Sequence, residues 1–262
     1  MRQLASGIGR AATGLVEEFG YYVALTIESL YWLLFGLARG RPVRLAATVA
    51  QMREVGVAAA PIVFMLSFAI GVMLAIQGIH TLEQFGAETQ VVLGIALSVT
   101  REFGPLITGV LVAGRSGSAL AARIGSMQVN QEIDALRVMG INPVRFLAAP
   151  AVVALVVMVP LLTVFADLTA LFGGAIFCSL ELGMSQVAFW DEALSFITVD
   201  DVSQGLFKSV VFGLIVALVG IANGFAVSGG AEGVGRATTR AVVLSISYLV
   251  IADMLFTYFL NR

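Results

Sequence analysis

The sequence predicts an all-α polytopic membrane protein: an N-terminal helix in the membrane interface, five transmembrane helices, and a polar cytoplasmic helix between spans two and three. Three observations carry this. Of the 262 residues, 59% are hydrophobic and 12% charged, whereas soluble domains are about half apolar and about a quarter charged. The apolar residues gather into runs of the roughly 20 that a membrane-crossing helix needs. The basic residues fall in alternate connections, the bias that orients a chain in a bilayer.

Residues 1–54 read as a cytoplasmic and interfacial arm carrying an amphipathic helix, and 55–262 as the five-span domain. Arg2, Arg10, Glu17 and Glu18 interrupt the first 20 residues, so no cleavable signal peptide is expected. The run "YYVALTIESLYWLLFGLA", 21–38, is short, has Glu28 in its middle and carries Tyr21, Tyr22, Tyr31 and Trp32. Such aromatics prefer the headgroup level, so this helix is expected to lie in one leaflet rather than cross. The spans are expected at 55–79, 89–113, 147–177, 205–227 and 241–260, with Pro160 kinking the third.

Arg2, Arg10, Arg39, Arg41, Arg44 and Arg53 precede the first span. Arg115, Arg123, Arg137 and Arg145 follow the second, and Arg236 and Arg240 follow the fourth. The opposite connections, 80–88 and 180–204, hold Glu83, Glu88, Glu181, Asp191, Glu192, Asp200 and Asp201, with no Lys or Arg. The N-terminus is therefore expected in the cytoplasm and the C-terminus outside.

The connection after span two contains "SMQVNQEIDALRVMGINPVRF", 126–146. Ile133, Leu136 and Met139 share one helical face, and Gln131, Glu132, Asp134 and Arg137 cover the rest. Gly140 and Pro143 end the helix. It reads either as a solvated connector or as a docking helix whose apolar stripe enters a cytoplasmic partner.

Several chemistries are excluded. The net charge of −2 argues against nucleic acid. Cys178 is the only cysteine and His80 the only histidine, so a disulfide or a Cys/His metal site is not expected. "GGAEGVG", 229–235, lacks the lysine of a phosphate loop. "GRSG", 114–117, suggests an intramembrane serine nucleophile, but its base would be His80 on the other side. Ala113, Gly117 and Ala121, beside Gly114, Ser118 and Ala122, read more simply as small-residue packing stripes, repeated by Gly220 and Gly224.

Arg101 and Glu102 in span two, Asp167 in span three, Lys208 in span four and Asp253 in span five are charges within apolar runs. Each costs at least about 2.5–3.5 kcal/mol to insert, so such groups face a cavity or one another. They read as structural pairs, for example Arg101 with Asp253 or Lys208 snorkelling outward, or as the polar lining of a path for an amphipathic substrate.

"REFGPLITGVLVAGRSGSALAARIGSMQVNQEIDALRVMGINPVRFLAAP" resembles the signature of the MlaE/YrbE permeases, the membrane subunits of MCE-associated ABC transporters. The likeness continues in "PLLTVFADLTALFGG", "KSVVFGLIVALVGIANGF" and "GVGRATTRAVV", and covers roughly residues 50–260. The resemblance implies a homodimer in the bacterial inner membrane, driven by a cytoplasmic ATPase and working with a periplasmic MCE-domain lipid-binding protein. It implies transport of phospholipid or a related lipid between the inner membrane and the envelope. It makes 126–146 a coupling helix docked on the ATPase through Glu132, Ile133, Asp134, Leu136, Arg137 and Met139. It places Arg101, Glu102, Lys208 and Asp253 at the intramembrane polar positions along the lipid path. No cofactor is expected in this chain, because ATP would bind the partner. The competing readings are a self-sufficient secondary transporter or channel, which five spans without an inverted repeat disfavour, and a membrane-embedded enzyme.

Overall fold

A computed structural model describes residues 2–35 and 44–260. Arg39, Arg41 and the end of the interfacial run, 36–38, lie outside the described residues, as do the side chains of Arg2 and Arg10. Every regular element among the described residues is a helix. Five are long and apolar enough to cross a membrane: Leu45–Glu83, Val91–Val129, Val144–Glu181, Val199–Phe225 and Gly230–Leu260, here spans one to five.

All five extend past the expected runs at one end or both, where charged and small residues continue a helix beyond the apolar stretch, although span two starts at Val91 and span four ends at Phe225, two residues inside the expected limits. Arg115 and Arg123, expected in a connection, lie in the continuing helix of span two. Arg236 and Arg240 lie in the first turns of span five. Pro160 sits inside an uninterrupted helix.

Backbone contact holds the spans together. Gly71 of span one lies against the Ala170 backbone of span three, and Gly173 against the Phe68 carbonyl. Any side chain at either glycine would collide with main chain. Phe64 and Phe165, then Phe68 and Phe172, stack along the same seam with ring centroids 5.9 and 6.4 Å apart. Spans two and four meet in the same way: Gly205 lies on the Thr100 carbonyl, Gly220 on Gly117 and Gly224 on Ile124. The stripe of Ala113, Gly117 and Ala121 therefore packs as expected, whereas Gly114 faces open space. Lipid tails are as apolar as leucine, so close small-residue packing supplies the attraction that water supplies elsewhere.

Span four is the centre of the bundle, with 67% of its apolar window buried, while span five has 17%. A short helix, Gln186–Phe196, covers the end where spans one and three finish, burying Phe189 against Ile95 and Cys178 in one apolar cluster. At the opposite end, the short helix Glu132–Val138 joins spans two and three.

The helix Arg2–Phe35 is amphipathic in its packing. Tyr22, Leu25 and Ser29 are buried against the bundle, while Ile27, Leu30, Leu34 and Phe35 are exposed. Tyr22 meets Tyr248 of span five edge to face at 6.2 Å. Asn142 donates to Glu28 at 2.7 Å, and the Arg145 guanidinium lies 5.2 Å over the Trp32 ring. Burial pushes the Tyr21 hydroxyl above its ordinary titration range, against the pull of Arg137.

Candidate functional site

Span two is π-helical over Val99–Phe103, an extra residue in the turn that carries Arg101 and Glu102. Such bulges recur at functional sites. Here the bulge sends the two adjacent charges to different neighbours.

Glu102 reaches Lys208 of span four, whose ammonium is 2.7 Å from Glu102 Oε2 and 3.1 Å from Asp253 Oδ1 of span five. Lys208 also donates to Thr257 Oγ1 at 3.0 Å, and the Thr257 hydroxyl donates to Glu102 Oε1 at 2.9 Å. The Asp253 contact has ion-pair distance without hydrogen-bond alignment. Lys208 is 2% exposed. One buried ammonium thus joins three spans and faces two carboxylates.

Arg101 pairs with Asp201, at the start of span four. Asp201 is 1% exposed and closes a capping box with Thr198, accepting from the Thr198 backbone N–H at 2.8 Å. The structure therefore corrects two expectations. Arg101 meets Asp201 rather than Asp253, because span four begins early enough to bring Asp201 level with it. Lys208 does not snorkel outward, because Glu102 and Asp253 hold it inside. Asp167 stands apart, its Oδ1 unpartnered and packed over Gly104.

The sequence offered two signals for what it left unassigned. "TVDD" is a capping box ahead of an apolar run, which marks Asp201 as structural. Thr257 lies one helical turn beyond Asp253.

The short helix Glu132–Val138 begins after Gln131, held at φ 60°, and ends before Gly140, at φ 72°. These left-handed residues fold the chain back at both ends. Arg137 pairs with Asp134 at 2.9 Å on its surface. Ile133 is 0% and Leu136 8% exposed. Both pack into their own bundle, so they are not available to fill a partner's groove. Of the expected stripe, the chain itself covers Ile133 and Leu136, whereas Met139 is exposed. The outward face consists of Glu132, Asp134, Arg137, Val138 and Met139, with Val138 89% exposed.

His80 lies at the finish of span one, where span two starts, whereas Ser116 lies in the later half of span two, and this separation in depth removes the serine-protease reading. No group of three metal-binding side chains occurs among the described residues.

Comparison with known proteins places these features. A family model described as Permease MlaE matches residues 48–259. A probable ABC transporter permease protein of Rickettsia typhi is 34% identical over 221 residues, 84% of this chain and 85% of the relative. The intermembrane phospholipid transport system permease protein MlaE of Haemophilus influenzae is 32% identical over 230 residues, 86% of this chain and 88% of the relative. The chloroplastic protein TRIGALACTOSYLDIACYLGLYCEROL 1 of Arabidopsis thaliana is 33% identical over 212 residues, 81% of this chain and 61% of the relative.

Proposed function

The chain belongs to the MlaE permease family, and from that premise we propose that it is the membrane subunit of an ABC transporter moving phospholipid or a related lipid between the inner membrane and the cell envelope. The observation that carries the reading is a family match running through all five spans. Energy comes from a separate cytoplasmic ATPase, and an MCE-domain protein hands lipid on or receives it outside.

In this reading the short helix Glu132–Val138 is the coupling helix, and the end that bears it is cytoplasmic. Its buried side makes it a lever. Ile133 and Leu136 tie it to the bundle, so a push on Val138 and Met139 moves spans two and three rather than a loose loop. Asn142 sits at the pivot: its Oδ1 accepts from the Val144 and Arg145 N–H groups while its amide holds Glu28. The helix Arg2–Phe35, with its exposed apolar side, lies in the cytoplasmic leaflet and follows that motion.

A second copy of the chain covers span five, whose outer face carries Val243, Val250, Ile251, Met254 and Leu255. Glu102, Lys208, Asp253 and Arg101 then brace the wall of a lipid path near the two-fold axis. The half-exposed Arg101 supplies a cation for a passing phosphate.

The test is purification of the chain from its native membrane in mild detergent, with mass spectrometry of what accompanies it. An ABC ATPase and phospholipid are expected. A chain that carries lipid alone, driven by an ion gradient, contradicts the proposal.

A further inference from the structure

A pocket of about 260 Å³ opens between the start of span one and the end of span two. Its polar lining is Gln51, Glu54, Arg115, Ser116 and Arg123, and Leu120 and Leu155 give it an apolar wall. It lies far along span two from Glu102, towards the end that carries the short helix.

Its construction is local and specific. Span two is π-helical a second time over Ala113–Gly117, a distortion common at functional sites. That turn carries both Arg115 and Ser116. The neighbouring Ser118 hydroxyl is satisfied by the Gly114 and Arg115 carbonyls, at 2.5 and 3.0 Å. Ser116 is 8% exposed, and its hydroxyl oxygen is buried in the pocket wall with no partner among the described residues. A buried hydroxyl without a partner is costly, and this one lines the pocket.

The charges leave one cation over. Glu54 pairs with Arg123 at 3.3 Å. Arg115 reaches the Glu54 main-chain carbonyl, at 3.4 Å, and no carboxylate among the described residues. The site thus presents a single uncompensated guanidinium at an apolar wall, which matches a monoanionic phosphodiester with acyl chains attached. Depth supplies the source. The apolar run of span two stops at Ala113 and that of span one begins at Val55, so the pocket lies where hydrocarbon gives way to headgroups.

We propose that this pocket holds the phosphate of a glycerophospholipid from the leaflet on the short-helix side, gripped by Arg115 with its chains along the apolar wall. The site is separate from the Glu102–Lys208–Asp253 network. It requires only that the five spans lie in a bilayer, not the ATPase or a direction of transport.

The test is native mass spectrometry of the full chain in mild detergent, titrated with phosphatidylglycerol, with a diacylglycerol of the same chains, and with inorganic phosphate as competitor. The expected result is one tightly held phosphatidylglycerol per chain and no equivalent diacylglycerol. Arg115→Gln should weaken it by about tenfold or more, the scale of a charge-assisted phosphate contact. Ala119→Trp, which blocks the pocket and keeps both arginines, should also release it, and decides the matter alone if Arg115→Gln does not fold. Arg53→Gln, outside the pocket, should bind as the native chain does. Equal retention by Ala119→Trp, or equal retention of diacylglycerol, overturns the proposal. Displacement of the lipid by millimolar inorganic phosphate makes this a free-phosphate site and overturns the lipid assignment.

Discussion

Lys208→Met isolates what the buried network contributes. The side chains are close in length, so the change removes charge with little loss of volume. Lys208 is 2% exposed and contacts Glu102, Asp253 and Thr257 within 3.1 Å. Without its ammonium, two carboxylates from different spans face each other with no cation between them. Breaking a buried ion pair from one side costs about 3–5 kcal/mol, because the surviving charge is stranded. Here two charges are stranded, but Glu102 is 30% exposed and keeps the Thr257 hydroxyl as a donor, so the lower end of that range is expected. The triple variant Glu102→Gln, Lys208→Met, Asp253→Asn removes both stranded charges and should recover most of the loss. The assay is thermal unfolding of the purified chain in one detergent, followed by the fraction that stays soluble and monodisperse. If Lys208→Met is as stable as the triple variant, the ammonium is not what joins spans two, four and five, and the reasoning fails.

The other predictions separate function from folding. Val138→Asp, on the exposed tip of the short helix, should leave thermal stability unchanged and lose the ATPase on co-purification. Leu136→Asp should instead destabilise the chain itself, by about 2 kcal/mol or more, since it buries a charge among apolar neighbours. Retention of the ATPase by Val138→Asp would make this helix a mere connector. Glu102→Gln keeps the shape of the network and should still assemble with its ATPase while transporting lipid poorly, and normal transport would remove Glu102 from the path. With Cys178 replaced by Ala, a cysteine at Val187 should react with an impermeant thiol reagent from outside intact cells, and one at Val138 only after permeabilisation. The reverse pattern would invert the orientation.

Five spans are legible in hydropathy alone, because lipid demands about 20 apolar residues and nothing else in the chain supplies them. Their ends are not. Arg115, Arg123, Arg236 and Arg240 look like connection residues, yet helices continue through them once they leave the hydrocarbon. The intramembrane charges are equally visible as types, since each is expensive where it stands. Their pairing depends on how far each helix extends and how it is rotated, which periodicity does not carry. Asp201 was hidden among the acids of the connection 180–204, although its capping box with Thr198 gave a local sign. The short helix shows the limit most clearly. Spacing placed Ile133 and Leu136 on one face, but not what covers that face, and the answer was the chain itself: Ile133 joins its core and Leu136 is buried.

The central claim is that this chain moves lipid on energy supplied by another subunit. The most direct measurement is transfer of a fluorescent phospholipid out of vesicles that contain the complex purified on this chain, with and without ATP. The account predicts transfer that requires hydrolysable ATP, stops when the ATPase is stripped away, and falls sharply in Glu102→Gln without loss of assembly. Transfer that persists without ATP and follows an ion gradient instead would contradict it.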